Sequence, residues 1–264
     1  MRPALLGGAA ALLIASAAHA QQTETLAQKT SPVGVSVSTG FDFSRGDYGL
    51  GADTDILVVP LSLRATTGDF AFSATIPYLR IDGPGGVVVG PDGQPLPGVA
   101  GIPGKRSGIG DLSVGGTYTF RPSENGLEVA LAGRVKLPVS EKAKRLGTGK
   151  TDVKISADVS YAIGDFIPFV NVGYRFLGDP ASVDLRDGPT ASAGFSVPVG
   201  RNVVILSYDY AAATTRLSED SHELFGGLSV PVNDRFTITG YGVGGLSKGS
   251  PDFGVGLLLT AKIL

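Results

Sequence analysis

The sequence predicts an all-β protein, a transmembrane antiparallel up-and-down β-barrel of about twelve strands preceded by a cleaved signal peptide. Three observations carry that reading. Long segments alternate apolar and polar side chains, the connections between them run long and short by turns, and charged residues are kept off the apolar face of the segments except near the ends of two, at Asp55 and Arg80.

The first segment, "PVGVSVSTGFDFS" at residues 32–44, sets Val33, Val35, Val37, Phe41 and Phe43 against Gly34, Ser36, Ser38, Gly40, Asp42 and Ser44. Successive side chains of a β-strand point to opposite faces, so one face is greasy and the other polar. Length then selects the medium. Strands of soluble proteins cluster near five or six residues, whereas a tilted membrane strand needs roughly 9–11.

The elements follow in order. Arg2, the uncharged apolar run Ala4 to Ala18 and the small residues Ala18-His19-Ala20 have the three-part layout of a secretory signal peptide over 1–20. A short polar segment, 21–31, precedes a barrel domain spanning 32–264. Strands are expected near 32–44, 55–65, 70–81, 108–120, 127–139, 153–162, 166–177, 189–199, 203–212, 222–232, 236–246 and 252–264. The composition, with 39 glycines, no tryptophan and no cysteine in 264 residues, suits a chain of many strands and turns. A formal net charge of −2 gives no reason to expect a nucleic-acid partner.

The connections sort by parity. "RGDYGLGAD", the stretch 83–107, "SEKAKRLGTGKTD", "GDPASVDLRDG", "AATTRLSEDS" and "SKGSP" alternate with "TTGD", "RPSENG", "IGD", "GRN" and "NDR". Outer-membrane barrels have tight turns on the periplasmic rim and longer loops outside. A soluble sandwich, the third-ranked architecture, has no reason to sort its loops this way. Aromatics on the apolar parity form two groups: Phe41, Phe43, Tyr78, Tyr174, Phe176, Tyr208, Tyr210 and Phe253 near the outer ends, and Phe70, Tyr118, Phe120, Tyr161, Phe166 and Phe236 near the inner ends. Two rings are the pattern of interfacial girdles rather than of one central core.

On the polar parity stand twelve charged residues that the sequence nominates as pore-lining: Asp42, Arg64, Asp111, Glu128, Arg134, Lys136, Lys154, Asp158, Arg175, Asp209, Glu223 and Lys262. Acids and bases are equal in number, which argues against the strong ion selectivity that a ring of one sign would impose. Arg134, Lys136 and Arg175 are expected to face Asp111, Asp158 and Asp209. The external segment "GPGGVVVGPDGQPLPGVAGIPGKRSG", 83–108, is the other functional candidate. Its five prolines and many glycines are expected to resist regular pairing, yet Val87, Val88, Val89, Leu96, Val99 and Ile102 are unusually apolar for a solvated loop. It either folds over or into the mouth as a gating loop or lies free on the surface.

"SGIGDLSVGGTYTF" (107–120), "GRVKLPVS" (133–140) and "LGTGKTDVKISADVSYAIGDFIPFVNVGYRFLGDP" (146–180) resemble the outer-membrane, transporter-like family named for the meta-pathway of phenol degradation. The likeness is best over 107–180. It implies an outer-membrane barrel in a Gram-negative envelope that admits small molecules, aromatic or apolar ones among them. It supplies no substrate residues to carry over. The chain finishes Lys262-Ile263-Leu264, without the terminal aromatic residue that the barrel-insertion machinery commonly recognises.

Other motifs fail on spacing. "GTGKT" at 147–151 places Lys144 where a phosphate loop needs its first glycine, and "GIGDLS" at 108–113 lacks the third glycine of a dinucleotide turn. Past the signal peptide the only histidine is His222, so any serine hydrolase would have to be built on it. Ser221 and Glu223 flank it in sequence but alternate to the other face. No catalytic residue, metal or cofactor is expected. The expected partners are outer-membrane lipids, the insertion machinery and an unnamed small solute. The expected function is passive passage of small molecules through a porin-like channel. The alternative is a closed barrel with a structural, surface-interaction or lipid-modifying role.

Overall fold

Each alternating segment becomes a strand paired antiparallel with its neighbours in sequence. The computed structural model describes residues 33–90, 95–99, 102–122, 126–180 and 183–264; the signal peptide and the polar segment 21–31 lie outside the described residues. The strands are β1 (Gly34–Gly46), β2 (Thr54–Thr67), β3 (Phe70–Gly83), β4 (Val87–Val89), β5 (Pro95–Pro97), β6 (Gly104–Ile109), β7 (Leu112–Phe120), β8 (Leu127–Leu137), β9 (Asp152–Tyr161), β10 (Ile167–Phe176), β11 (Gly188–Val199), β12 (Asn202–Ala211), β13 (Ser221–Pro231), β14 (Phe236–Gly245) and β15 (Phe253–Lys262).

One sheet runs from β1 through β2, β3, the β6–β7 strand and β8 to β15 and closes on itself, giving a barrel of twelve strands. Closure is made by β1 against β15, from Ser36↔Lys262 to Arg45↔Phe253, and extended by the Val35 N–H on the Leu264 carbonyl at 3.1 Å. With a single closed sheet there is no second layer to form a sandwich. Within the barrel sheet every strand except β6 finds a ladder on both sides, as hydrocarbon requires of spanning backbone.

β6 and β7 are one barrel strand broken by a bulge. Between the pairs Tyr78↔Ile109 and Thr75↔Ser113, β3 supplies two residues and its partner three. The Gly110 N–H returns to the Pro77 carbonyl at 2.7 Å. This strand starts at Gly104 rather than near 108, because β3 continues to Gly83 and offers pairing partners that far.

The connections fall on the rims as their lengths predict. Residues 47–53, 138–151, 212–220 and 246–252, with the described parts of 84–103 and 177–187, make one rim, and the described residues of the tight turns make the other. In two of those turns, Gly68 (φ +55°) and Gly200 (φ +66°) take the first position of a two-residue loop, which needs a positive φ that glycine adopts without strain. The 83–108 stretch departs from expectation: Val87, Val88 and Val89 pair with Pro97, Leu96 and Pro95 in a short hairpin, β4–β5. Proline lacks an N–H, so Leu96 is the one donor its strand has to place, and three residues suffice.

The apolar parity faces out. Leu61, Leu131, Val172 and Leu257 are exposed at mid-strand, and the aromatics of both predicted rings lie on that same face, for example Tyr78 and Phe253 near one rim and Phe70 and Phe120 near the other. Exposed apolar surface on this scale belongs against lipid.

Candidate functional site

The polar parity turns inward, and all twelve nominated charged residues lie on it. Asp42, Asp111, Glu128, Lys136, Lys154, Asp158, Arg175 and Glu223 are buried, whereas Arg64, Arg134, Asp209 and Lys262 are half-buried. A buried charge is tolerable only when paired or hydrogen-bonded, and the partners show how the interior is organised.

The densest group sits where β8, β9 and the outer loops meet. Lys136 Nζ, 1% exposed, lies 2.7 Å from Asp152 Oδ2 and 3.1 Å from Asp111 Oδ2 and donates to Thr148 Oγ1 at 2.8 Å. The second oxygen of each carboxylate anchors a loop: Asp111 accepts from the Ser140 N–H at 3.0 Å and Asp152 from the Gly178 N–H at 2.8 Å. One cation thus ties the 138–151 and 177–187 loops to the wall. Lys136 and Asp111 come together as expected. Asp152 and Thr148 escaped the sequence reading. Asp152 shares the parity of Lys154 and Asp158 but fell one residue outside the expected strand, and Thr148 belongs to the "GTGKT" stretch, which is an ordinary external connection.

Other inward residues have bonds of their own. Arg175 Nη2 donates to the Ala212 carbonyl at 2.7 Å. Asp209 accepts from Ser192 Oγ at 2.5 Å and Ser207 Oγ at 2.8 Å. Glu128 takes Arg121 of the inner-rim turn at 2.7 Å, and that arginine also meets Asp69 at 2.7 Å. Asp42 accepts from the Tyr241 hydroxyl at 2.8 Å, and Glu223 from Ser221 Oγ at 2.7 Å.

The β4–β5 hairpin folds inward. Val87 and Val89 join Tyr48, Ile56, Val58, Leu79, Ile81 and Leu146 in one buried cluster; Val88, Leu96 and Val99 join Leu177 and Leu185 in another. Five of the six nominated gating-loop residues are therefore buried. Ile102 is instead exposed, because its carbonyl is held by Arg106 Nη1 at 2.5 Å as the chain leaves for β6. The hairpin is fastened by the Val89 N–H to the Leu146 carbonyl at 3.0 Å, by the Gly98 N–H to the Gly86 carbonyl at 2.9 Å, and by Arg106 Nη2 to the Val87 carbonyl. A third apolar cluster, Phe169, Val203, Ile205, Phe225, Tyr241, Val243 and Leu258, lines the opposite half of the interior, with the Phe225 and Tyr241 rings 5.8 Å apart.

His222 is the second residue of β13 and lies on the outer face, its Nδ1 2.5 Å from the Tyr208 hydroxyl and its ring 5.2 Å from that of Tyr210. Ser221 and Glu223 bond each other on the inner face, so the three do not assemble into a hydrolase triad. Among the described residues no group of three or more His, Cys, Asp or Glu is placed to hold a metal ion.

A closed antiparallel barrel with an apolar outer belt and a charged interior defines an outer-membrane β-barrel of the Gram-negative type. The chain belongs to the family described as "Putative MetA-pathway of phenol degradation", whose model matches residues 27–263. Its fold is similar to that of an outer-membrane channel from Pseudomonas putida F1, with a TM-score of 0.69 at 13% identity over 90% of this chain and 98% of that one. It is similar also to the translocator domain of the autotransporter NalP from Neisseria meningitidis, with a TM-score of 0.53 at 11% identity over 94% and 97%. Comparison with curated proteins gives no match.

Proposed function

We propose that this protein is a passive outer-membrane channel that admits small, weakly soluble molecules, aromatics among them, through a mouth gated by the β4–β5 hairpin. The observation that carries the reading is the inward seating of that hairpin. An external loop of a barrel has water available on every side, yet this one sets Val87, Val89 and Leu96 against Ile56, Val58, Leu79 and Ile81 of the barrel wall or against the neighbouring loop. Each fully buried valine or leucine contributes about 1.5–3 kcal/mol, so the hairpin holds its place, and the surface it covers is the surface an apolar solute would touch. Membership of a family described by phenol degradation supports the same class of solute. Further in, the cluster around Phe225 and Tyr241 extends the apolar lining beyond the mouth.

The test is flux of small aromatics into liposomes carrying the protein. Deleting 86–103 is expected to change that flux and its discrimination among solutes; unchanged flux would remove the gate. The second reading, a closed barrel with a structural, surface-interaction or lipid-modifying role, draws on the nearly complete burial of Lys136 and Asp152. It takes over if the intact and deleted proteins are both folded and silent to solutes and ions.

A further inference from the structure

The barrel wall carries a fault line. Pro60 of β2 and Pro77 of β3 stand directly opposite each other at mid-strand, and proline has no N–H to give a ladder. The ladder between β1 and β2 runs from Gly34↔Thr66 to Thr39↔Leu61, skips Gly40 and Phe41, and resumes at Asp42↔Val58. Bonded and non-bonded pairs alternate in an antiparallel ladder, so the absent bond is the one that residue 60 would donate to the Gly40 carbonyl. On its other side Pro77 meets the bulge between β6 and β7, and the Gly110 N–H spans the break to the Pro77 carbonyl at 2.7 Å. Gly40, Pro60, Pro77 and Gly110 thus form one row across the wall.

Between that row and the outer rim lie the ends of β2 and β3 and the whole of β6. β6 has a ladder with β3 alone, and on its far side the Lys144 and Leu146 side chains of the 138–151 loop lie against Gly108. The opposite side stays sewn to β1 through the pairs Asp42↔Val58 to Gly46↔Thr54. This patch of wall has one sewn side, one free side and a weakened base.

The β4–β5 hairpin sits on the same patch. Val87 and Val89 pack against Ile56, Val58, Leu79 and Ile81, and Arg106 of β6 donates to the Ile102 and Val87 carbonyls. Polar ties to loops beyond the patch run from the Val89 N–H to the Leu146 carbonyl at 3.0 Å and from Thr215 Oγ1 to the Pro97 carbonyl at 3.4 Å. Arg106 is buried, and its Nε has no hydrogen-bond partner among the described residues. A guanidinium held by neutral carbonyls is costly to keep from water, and outward movement of the patch relieves that cost.

We propose that the outer ends of β2 and β3, β6 and the seated hairpin move as one flap, hinged along β1 and creased at Pro60, Pro77 and Gly110, and that this movement opens the mouth. Local opening starts where backbone bonds are fewest, and here the missing donors lie at the foot of the element that carries the plug. The inference rests on the hairpin being a gate, and it puts the moving part in the barrel wall rather than in the loop alone.

The experiment locks the free edge. The chain has no cysteine, so the Gly108→Cys, Lys144→Cys double variant can be joined by a short bifunctional thiol reagent and compared with the same variant capped by a monofunctional one. A heat-modifiable gel shift checks that the barrel is folded. The readouts in liposomes are the rate of proteolytic cutting within 86–103 and the flux of benzyl alcohol, with protein-free liposomes as baseline. Bridging is expected to slow the cutting several-fold and to lower the flux. Pro60→Val, which returns an N–H to β2 without any bridge, is expected to slow cutting about fivefold, the worth of one net backbone hydrogen bond. Equal cutting of bridged and capped protein, or a folded Pro60→Val protein cut as fast as wild type, overturns the proposal, since a hairpin that lifts off alone would ignore both changes. The two readings stay apart. Slower cutting with no flux above baseline in any form supports the flap and sinks the aromatic channel, whereas flux with unchanged cutting sinks the flap alone.

Discussion

Lys136 and Asp152 meet at 2.7 Å with their side chains 1% and 0% exposed. Removing one member of a buried ion pair leaves the other charged and unsolvated. Lys136→Met strands both Asp152 and Asp111, and is expected to cost about 3–5 kcal/mol, read as a lower urea midpoint for unfolding in vesicles. Replacing Lys136, Asp111 and Asp152 together by apolar residues is expected to recover much of that loss.

Leu96 is fully buried among Val88, Val99, Leu177 and Leu185. Leu96→Ala is expected to lose about 2–5 kcal/mol of packing. Because the hairpin is held to the barrel by its own few bonds, the loss should appear as faster proteolytic cutting within 86–103 and not as a lower unfolding midpoint of the barrel.

The two faces of one strand pair should respond oppositely to charge. Val172 lies mid-strand on the outer face of β10 and is exposed, whereas its cross-strand neighbourhood includes the inward, half-buried Ser156 on β9. Val172→Lys is expected to cost about 2–4 kcal/mol for a basic residue at mid-membrane. Ser156→Lys, with access to water and carboxylates, should cost clearly less. Equilibrium folding into vesicles measures both.

Gly256 allows the Tyr241 ring to lie across β15, where a Cβ would overlap the ring. Gly256→Ala must push the ring away and break its hydroxyl bond to Asp42. A loss of about 1–3 kcal/mol is expected, visible as altered tyrosine fluorescence together with a lower midpoint.

Asp220, in the outer 212–220 loop, is held below the usual carboxylate range chiefly by the Ala213 N–H, which it accepts at 2.8 Å, with the Tyr210 hydroxyl adding at 3.0 Å. A depressed folded value means that its support for the loop is complete above the ordinary carboxylate value and fades only as pH falls through the lower one. Amide exchange at Ala213 should therefore stay slow at pH 5 and accelerate in more acidic buffer, and in Asp220→Asn the acid dependence should disappear.

The barrel was legible because membrane and backbone impose a period-two pattern with no charge on one face, and that pattern is written residue by residue in stretches such as 32–44 and 167–176. Its rims were legible too, since loop length alternates. The interior partners were not. Nothing local tells that Lys136 takes two carboxylates or that Arg175 Nη2 reaches the Ala212 carbonyl, because those choices depend on which loops fold back over the wall. The inward turn of 83–108 was half visible: its valines and leucine announced a need for cover, but the barrel wall that covers them comes from β2 and β3, and only the closed cylinder brings it within reach. Asp152 was missed by a boundary error of one residue.

The pairing of β1 with β15 joins residues more than two hundred positions apart. Until the last strand is in place the growing sheet carries two raw borders, each able to hybridise with a neighbouring chain. The cylinder therefore cannot be sealed progressively. Its final zippering waits on the end of the chain, which makes folding slow and makes a copy truncated before Phe253 an adhesive ribbon rather than a smaller pore.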